Sequence, residues 1–164
     1  MPGTSYLAPH TSQLATPTSH LVPRTSHFKL NVMASIFTRI VKGEIPCYKV
    51  AESDEFLAFL DINPLAKGHT LVIPKVEIDY LFDLEDQMLA EMNIFAKRVA
   101  KAIDQVMDCK RVGVAVLGLE VPHAHIHLIP INSLYDIEFS RPKLKLSSEE
   151  FEDIASSIRS ALED

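Results

Sequence analysis

Between residues 123 and 128 histidine alternates with apolar residues: His123, His125 and His127 are interleaved with Ala124, Ile126 and Leu128. A period of two is that of a strand with one face in the core. Side chains two apart share a face and the chain rises about 3.3 Å per residue, so the imidazoles are expected in a row, roughly 6–7 Å between neighbours. A helix would scatter them, because positions i and i+2 do not face each other there. Four more strands follow from pattern and turn signals. Tyr48 to Glu52 and Phe56 to Leu60 are joined by the turn residues Ser53-Asp54, and the second is apolar enough to be well buried. His69 to Ile73 follows the loop Leu65-Ala66-Lys67-Gly68 and stops at Pro74. Arg111 to Leu117 leads into the histidine strand through the short link Gly118-Leu119-Glu120-Val121-Pro122.

A longer period marks helices. Ser35 can cap a short one, Ile36 to Lys42, ended by Gly43, with Phe37, Ile40 and Val41 on its apolar side. Asp83 can cap a long helix from Leu84 to about Met107. Its residues Leu84, Met88, Met92, Phe95, Val99, Ile103 and Val106 recur every three or four positions as one buried stripe. Ser147-Ser148-Glu149-Glu150 is a capping box for a terminal helix to Leu162, with Phe151, Ile154, Ile158 and Leu162 as its stripe. Tyr135 to Leu146 has no clear period and reads as a tail that can reach a partner subunit.

Residues 1–32 differ from all that follows. They hold four Pro, four Ser, five Thr and three His and no Asp or Glu, too little apolar surface to fold alone. Leu21-Val22-Pro23-Arg24 looks like a protease-cleavage linker and Met33-Ala34-Ser35 like a natural start, so the leader reads as tag-derived or as an over-extended start. A transit peptide is the alternative, with Arg24 and Lys29 as its cations. His10, His20 and His27 lie in the leader and receive no role.

The whole chain of 164 residues carries a net charge of −6 with 47% hydrophobic residues, as expected of one globular domain. It has no apolar run of about eighteen residues, so no membrane span is expected. An acidic chain without a basic block argues against broad nucleic-acid binding but leaves room for a small nucleotide. Cys47 and Cys109 form no C-x-x-C pair and fit a reducing compartment, so a cytoplasmic location is expected.

The row of imidazoles admits three readings: a strand whose open face carries histidine by chance, a metal site, or covalent and acid–base chemistry. For metal, His123 and His127 would stand about 13 Å apart on a straight strand, too far to share an ion. For chemistry, imidazole is both nucleophile and proton carrier near neutral pH, and a row lets the middle ring attack while its neighbours bind an anion.

His123-Ala124-His125-Ile126-His127-Leu128-Ile129 resembles the His-φ-His-φ-His-φ-φ signature (φ apolar) of the histidine triad, or HIT, family of nucleotide hydrolases and transferases. Ser35-Ile36-Phe37-Thr38-Arg39-Ile40-Val41-Lys42-Gly43-Glu44-Ile45-Pro46 is similar to that family's opening segment. Phe56 to Pro64 and Gly68 to Lys75 are similar to its middle. The resemblance implies a nucleotidyl-histidine mechanism without metal or cofactor. In it His125 attacks the α-phosphorus, His123 and His127 flank the phosphate, and His69 completes the hydrogen-bond network. It also implies that Asp61 holds the ribose, although an Asp at a strand end usually caps backbone N–H groups. Phe37, Ile40, Ile45, Phe59 and Ile62 would enclose the base, a role compatible with core packing because a base pocket is an apolar patch continuous with the core.

Common family members carry an Asn and then Gly-Gln-Ser or Gly-Gln-Thr before the triad; here Gly118-Leu119-Glu120 takes that place and no Asn lies between Asn93 and Asn132. Phosphate contacts from those side chains are not carried over. Glu120 either recognises or protonates a basic leaving group, or points to solvent. Elements and resemblance together give an α+β, HIT-like fold: an antiparallel sheet of about five strands, one long helix and a C-terminal helix. The domain is expected over 33–140, with 141–164 as an extension. The expected function is cleavage of a nucleoside 5′-phosphoryl bond, of phosphoramidate or dinucleoside polyphosphate type, with a purine nucleotide as substrate. The expected assembly is a homodimer. A nucleotide-binding regulator with little turnover is the main alternative, and a zinc-binding protein the third.

Overall fold

A computed structural model describes residues 34–163; the leader lies outside them. Among the described residues three α-helices and five strands form in the order α1 (Ile36–Val41), β1 (Lys49–Glu52), β2 (Phe56–Leu60), β3 (Thr70–Pro74), α2 (Asp86–Val106), β4 (Arg111–Ala115), β5 (Ile126–Ile131) and α3 (Ser148–Glu163). The sheet runs β1-β2-β3-β5-β4, and every neighbouring pair is antiparallel. The α+β expectation holds.

Alternate residues of each strand point to opposite faces, and both faces are covered. On one face Val50, Phe56, Ala58, Leu60, Val72, Ile126 and Leu128 form a core with α2 and α3. Helix α2 contributes Met92, Phe95, Val99 and Ile103, four members of the stripe read from the sequence, and α3 contributes Phe151, Ile154 and Ile158. Each such side chain contributes about 1.5–3 kcal/mol by leaving water. On the other face Leu57, Phe59, Leu71 and Ile73 pack against Phe37 of the short α1. Double coverage explains why all five residues of β2 and of β3 are buried.

The local signals read from the sequence are realised in hydrogen bonds. Ser35 Oγ accepts from Thr38 N at 3.1 Å. Gly43, at φ 74°, ends α1: Glu44 N donates to Arg39 O and Gly43 N to Ile40 O, the paired bonds of a Schellman ending. Ser147 Oγ accepts from Glu150 N at 3.2 Å while the Glu150 carboxylate accepts from Ser147 N at 2.9 Å, closing the capping box.

Several boundaries differ from expectation. Asp83 does not cap the long helix. It ends a 3-10 turn, Leu81–Asp83, and Leu84 is extended at ψ 141° so that its side chain enters the core; α2 then starts at Asp86. Strand β4 stops at Ala115, opposite His127, where pairing with β5 ends. Regular pairing of the histidine strand begins at Ile126, opposite Val72, and not at His123. The Ala124 N–H turns instead to Ile78 O at 2.6 Å. The face expected to be open is also closed. His123, His125 and His127 are buried, because α1 and the segment after β5 cover them.

Candidate active site

The end of the sheet beside α1 opens into a cavity of about 310 Å³. Two of the three strand histidines, His125 and His127, line it; His123 and His69 do not and stand behind them. The His125 and His127 rings are 4.8 Å apart, closer than a straight strand predicts. Asp61, Phe37, Ile40, Ile45, Phe59 and Ile62 all line the same cavity, so the expected binding residues converge. Ile62 is 66% exposed and forms the rim rather than the floor. Phe37 sits edge-on to Phe59 at 5.5 Å and to His125 at 5.4 Å, joining apolar wall to imidazole.

Backbone groups fix which nitrogen of each ring holds the proton. The Leu65 N–H can only donate, and it lies 3.1 Å from His69 Nδ1. A neutral His69 therefore carries its proton on Nε2 and donates to His127 Nδ1 at 3.0 Å. His127 then bears its own proton on Nε2. His125 Nδ1 lies 2.6 Å from the His123 carbonyl, which can only accept, so its Nε2 is left with a bare lone pair. His123 Nε2 donates to Pro74 O at 2.8 Å, and its Nδ1 meets Ser35 Oγ at 2.9 Å. In the neutral rings, His125 thus presents a free lone pair and its neighbour His127 an N–H.

Burial pushes the His69 and His127 rings down to about 3, so both are neutral near pH 7. The 3.7 Å approach of Asp61 Oδ2 to His69 Nε2 is accordingly no ion pair. Burial lowers His123 as well, against the pull of the Pro74 carbonyl and the Glu77 carboxylate. Asp61 makes the backbone cap expected of an Asp at a strand end. Its Oδ1 accepts from Asn63 N at 2.8 Å, capping the turn, and the residue still lines the cavity.

Asp61, His69 and His127 bring three potential metal ligands within 4.8 Å of one another. The tautomers disfavour that use. A neutral imidazole has one lone pair, and in His69 the Leu65 N–H occupies it; a metal on Nε2 would have to displace that bond.

A sequence model of the HIT domain matches residues 42–134. The chain belongs to the HIT family. The adenosine 5′-monophosphoramidase of Schizosaccharomyces pombe is 38% identical over 132 residues, covering 79% of this chain and 99% of that protein. The adenosine 5′-monophosphoramidase of Saccharomyces cerevisiae is 43% identical over 99 residues, 59% of this chain and 62% of that one. Among solved structures, a Hit-like protein of Bartonella henselae, described as involved in cell-cycle regulation and holding an unknown ligand, superposes with a TM-score of 0.67. It is 32% identical, with 77% of this chain and 95% of that one covered.

This HIT protein has a cavity wall that sequence reasoning missed. Phe139 lies in the segment without clear period, read as a tail that can reach a partner subunit, and its ring is edge-on to His127 at 4.9 Å and to His69 at 6.4 Å. The segment is fixed by a 3-10 turn, Leu134–Ile137, by Arg141 on Asp136 at 3.0 Å, and by Leu144 N on Pro64 O at 2.8 Å. Leu117, Leu119 and Glu120 of the β4–β5 link form the mouth, where Glu120 is exposed and still lines the cavity. Among the described residues the lining includes two carboxylates, Asp61 and Glu120, and no lysine or arginine.

Proposed function

We propose that this HIT protein hydrolyses nucleoside 5′-phosphoramidates through a nucleotidyl-histidine at His125. The observation that carries the reading is the His125 ring: Nδ1 is committed to the His123 carbonyl, and the ring lines a cavity with Nε2 bare. His125 Nε2 attacks the α-phosphorus and the bond from phosphorus to the amine breaks. The amine leaves with the bonding pair and takes a proton from the water at the mouth, beside the Glu120 carboxylate. The His125 ring becomes cationic, and the carbonyl on its Nδ1–H stabilises that charge. His127 Nε2–H donates to the phosphoryl oxygen that gains charge. Water then attacks the phosphorus and loses a proton to the solvent at the mouth; the bond from phosphorus to His125 Nε2 breaks with its electron pair returning to a neutral ring, and the nucleoside monophosphate is released. No metal or cofactor enters these steps.

Asp61 holds the ribose through the oxygen its turn leaves free, and Phe37, Ile40, Ile45, Phe59 and Ile62 enclose a purine base. An amine leaving group is favoured over a second nucleotide, because further phosphates would meet Glu120 and no lining cation. The names of the two fungal relatives support the same class. We take the protein to be a cytoplasmic homodimer. Edge strand β4 supports pairing: its Val114 is 61% exposed, and Ile94 of α2 is also exposed. No helix among the described residues is long and apolar enough to cross a membrane.

The test is intact-protein mass spectrometry after brief mixing with adenosine 5′-phosphoramidate and a denaturing alkaline quench, on wild type and His125→Ala. An added AMP mass in the wild type alone, with turnover falling at least about 10³-fold in His125→Ala, is expected. AMP binding without adduct or product would instead establish the regulator with little turnover. Full hydrolysis by His125→Ala would end the proposed mechanism.

A further inference from the structure

Three groups outside the cavity converge behind His123. Ser35 Oγ lies 2.9 Å from His123 Nδ1 and 3.1 Å from Thr38 Oγ1. Thr38 Oγ1 donates to the Glu77 carboxylate in a short bond, and the same carboxylate oxygen accepts from Ser35 N at 3.0 Å. His123 is fully buried and Ser35 nearly so, whereas Glu77 stands in solvent on the connection after β3. The result is an unbroken chain from water to a buried imidazole: carboxylate, hydroxyl, hydroxyl, ring nitrogen.

This chain has two fully hydrogen-bonded states. With His123 neutral, Ser35 donates to Nδ1, Thr38 N donates to Ser35 Oγ, and Thr38 Oγ1 donates to Glu77. With His123 protonated, Nδ1–H donates to Ser35 Oγ, the Ser35 proton turns to Thr38 Oγ1, and the Thr38 proton stays on Glu77. Apart from the proton added on Nδ1, the two differ by the rotation of one hydroxyl. His69 has no such second state, since protonating its Nδ1 would set two donors, that N–H and the Leu65 N–H, against each other.

We infer that Glu77 is a positioning residue of the site, acting through Thr38 and Ser35 to set the protonation state of His123. The inference rests on the phosphoramidase reading for its effect on rate, though not for its effect on His123. A proton taken up by Glu77 passes to Thr38 Oγ1 as the Thr38 hydroxyl proton passes to Ser35 Oγ and the Ser35 proton to Nδ1. Each hydroxyl gains one proton and loses one. A cationic His123 opposes the positive charge that His125 acquires when it bonds phosphorus, so His123 protonation slows the chemical step. The charged or titratable groups facing His123 are Glu77 from the connection after β3 and His125 from its own segment, while α1 contributes only hydroxyls. The carboxylate favours the cation, and its removal makes His123 harder to protonate.

The experiment follows His123 ring nitrogens by ¹⁵N NMR against pH in the wild type, Glu77→Gln, Thr38→Val and Thr38→Ser, alongside kcat/KM profiles with adenosine 5′-phosphoramidate. Glu77→Gln and Thr38→Val are expected to move the His123 titration and the acid limb of kcat/KM to lower pH by about 0.5–1 unit. KM at pH 8 should stay within about twofold of wild type, since these residues do not touch the cavity. Thr38→Ser restores the hydroxyl and should restore the wild-type titration. Identical His123 titrations in all four proteins, or a Thr38→Ser shift as large as that of Thr38→Val, would overturn the relay. A wild type that never hydrolyses the substrate would remove the phosphoramidase reading and leave the NMR titration to judge the relay alone.

Discussion

The two faces of the sheet use the same strands and do different work. Toward α2 and α3, β5 presents Ile126 and Leu128, sealed by two long helices against apolar neighbours. Toward α1 it presents His127, with His125 just upstream, beneath a six-residue helix too short to fill the space. The first face gains stability from area removed from water. The second buries four imidazoles and is held by directional bonds, each ring committed through one nitrogen to a backbone group or to a ring so committed. A buried polar group costs free energy unless it is paired, so the partners on this face are as specific as the packing on the other. Where apolar packing leaves a gap, the hydrogen bonds decide the chemistry.

Three changes probe that division. The largest expected effect on stability comes from the apolar face: Leu128→Ala should cost about 2–5 kcal/mol in urea unfolding, with the His125 adduct still formed by folded protein. Undiminished stability would mean that the helix-covered face is not the principal core.

Acidification probes the imidazole face. His69 and His127 ionise near 3 when folded, against an ordinary 6.5. Between those values the unfolded chain binds more protons, so acid favours unfolding. Stability should be complete above 6.5 and decline as pH falls toward 3, by up to about 1.4 kcal/mol per pH unit for each ring. Unfolding curves at several pH values would check the slope, and replacing both rings by Asn should flatten it.

The smallest effect belongs to the mouth, which neither face's packing requires. Glu120→Gln should leave stability unchanged. It should lower the preference for a cationic over a neutral amine leaving group by a few-fold, roughly the worth of one exposed charge contact. An unchanged preference would return Glu120 to solvent with no part in recognition.

Much of this was legible in the sequence because it is local. Alternation placed His125 and His127 together, Ser35 and Gly43 bounded α1, and the Ser147–Glu150 box started α3. Asp61 could be assigned a turn from its neighbours alone. The misses are tertiary. That the histidine face is closed depends on α1, more than eighty residues earlier in the chain. Phe139 sits in a stretch without period, and its place is set by Arg141 on Asp136 and by a backbone bond to Pro64. The start of α2 yielded to the burial of Leu84, which outweighed the capping preference of Asp83.

The HIT match spans 42–134, and within it lie Asp61, His69, His123, His125 and His127. Phe37 and Ile40 precede that stretch and Phe139 follows it, so two walls of the cavity are lent by flanking chain. Part of the enclosure is therefore separate from the stretch that carries the histidines. Exchanging or lengthening the flank that carries Phe139 would resize the chamber without touching Ser35 or Thr38 behind His123, which makes that flank the natural place to fit a ligand of different size against the same histidines.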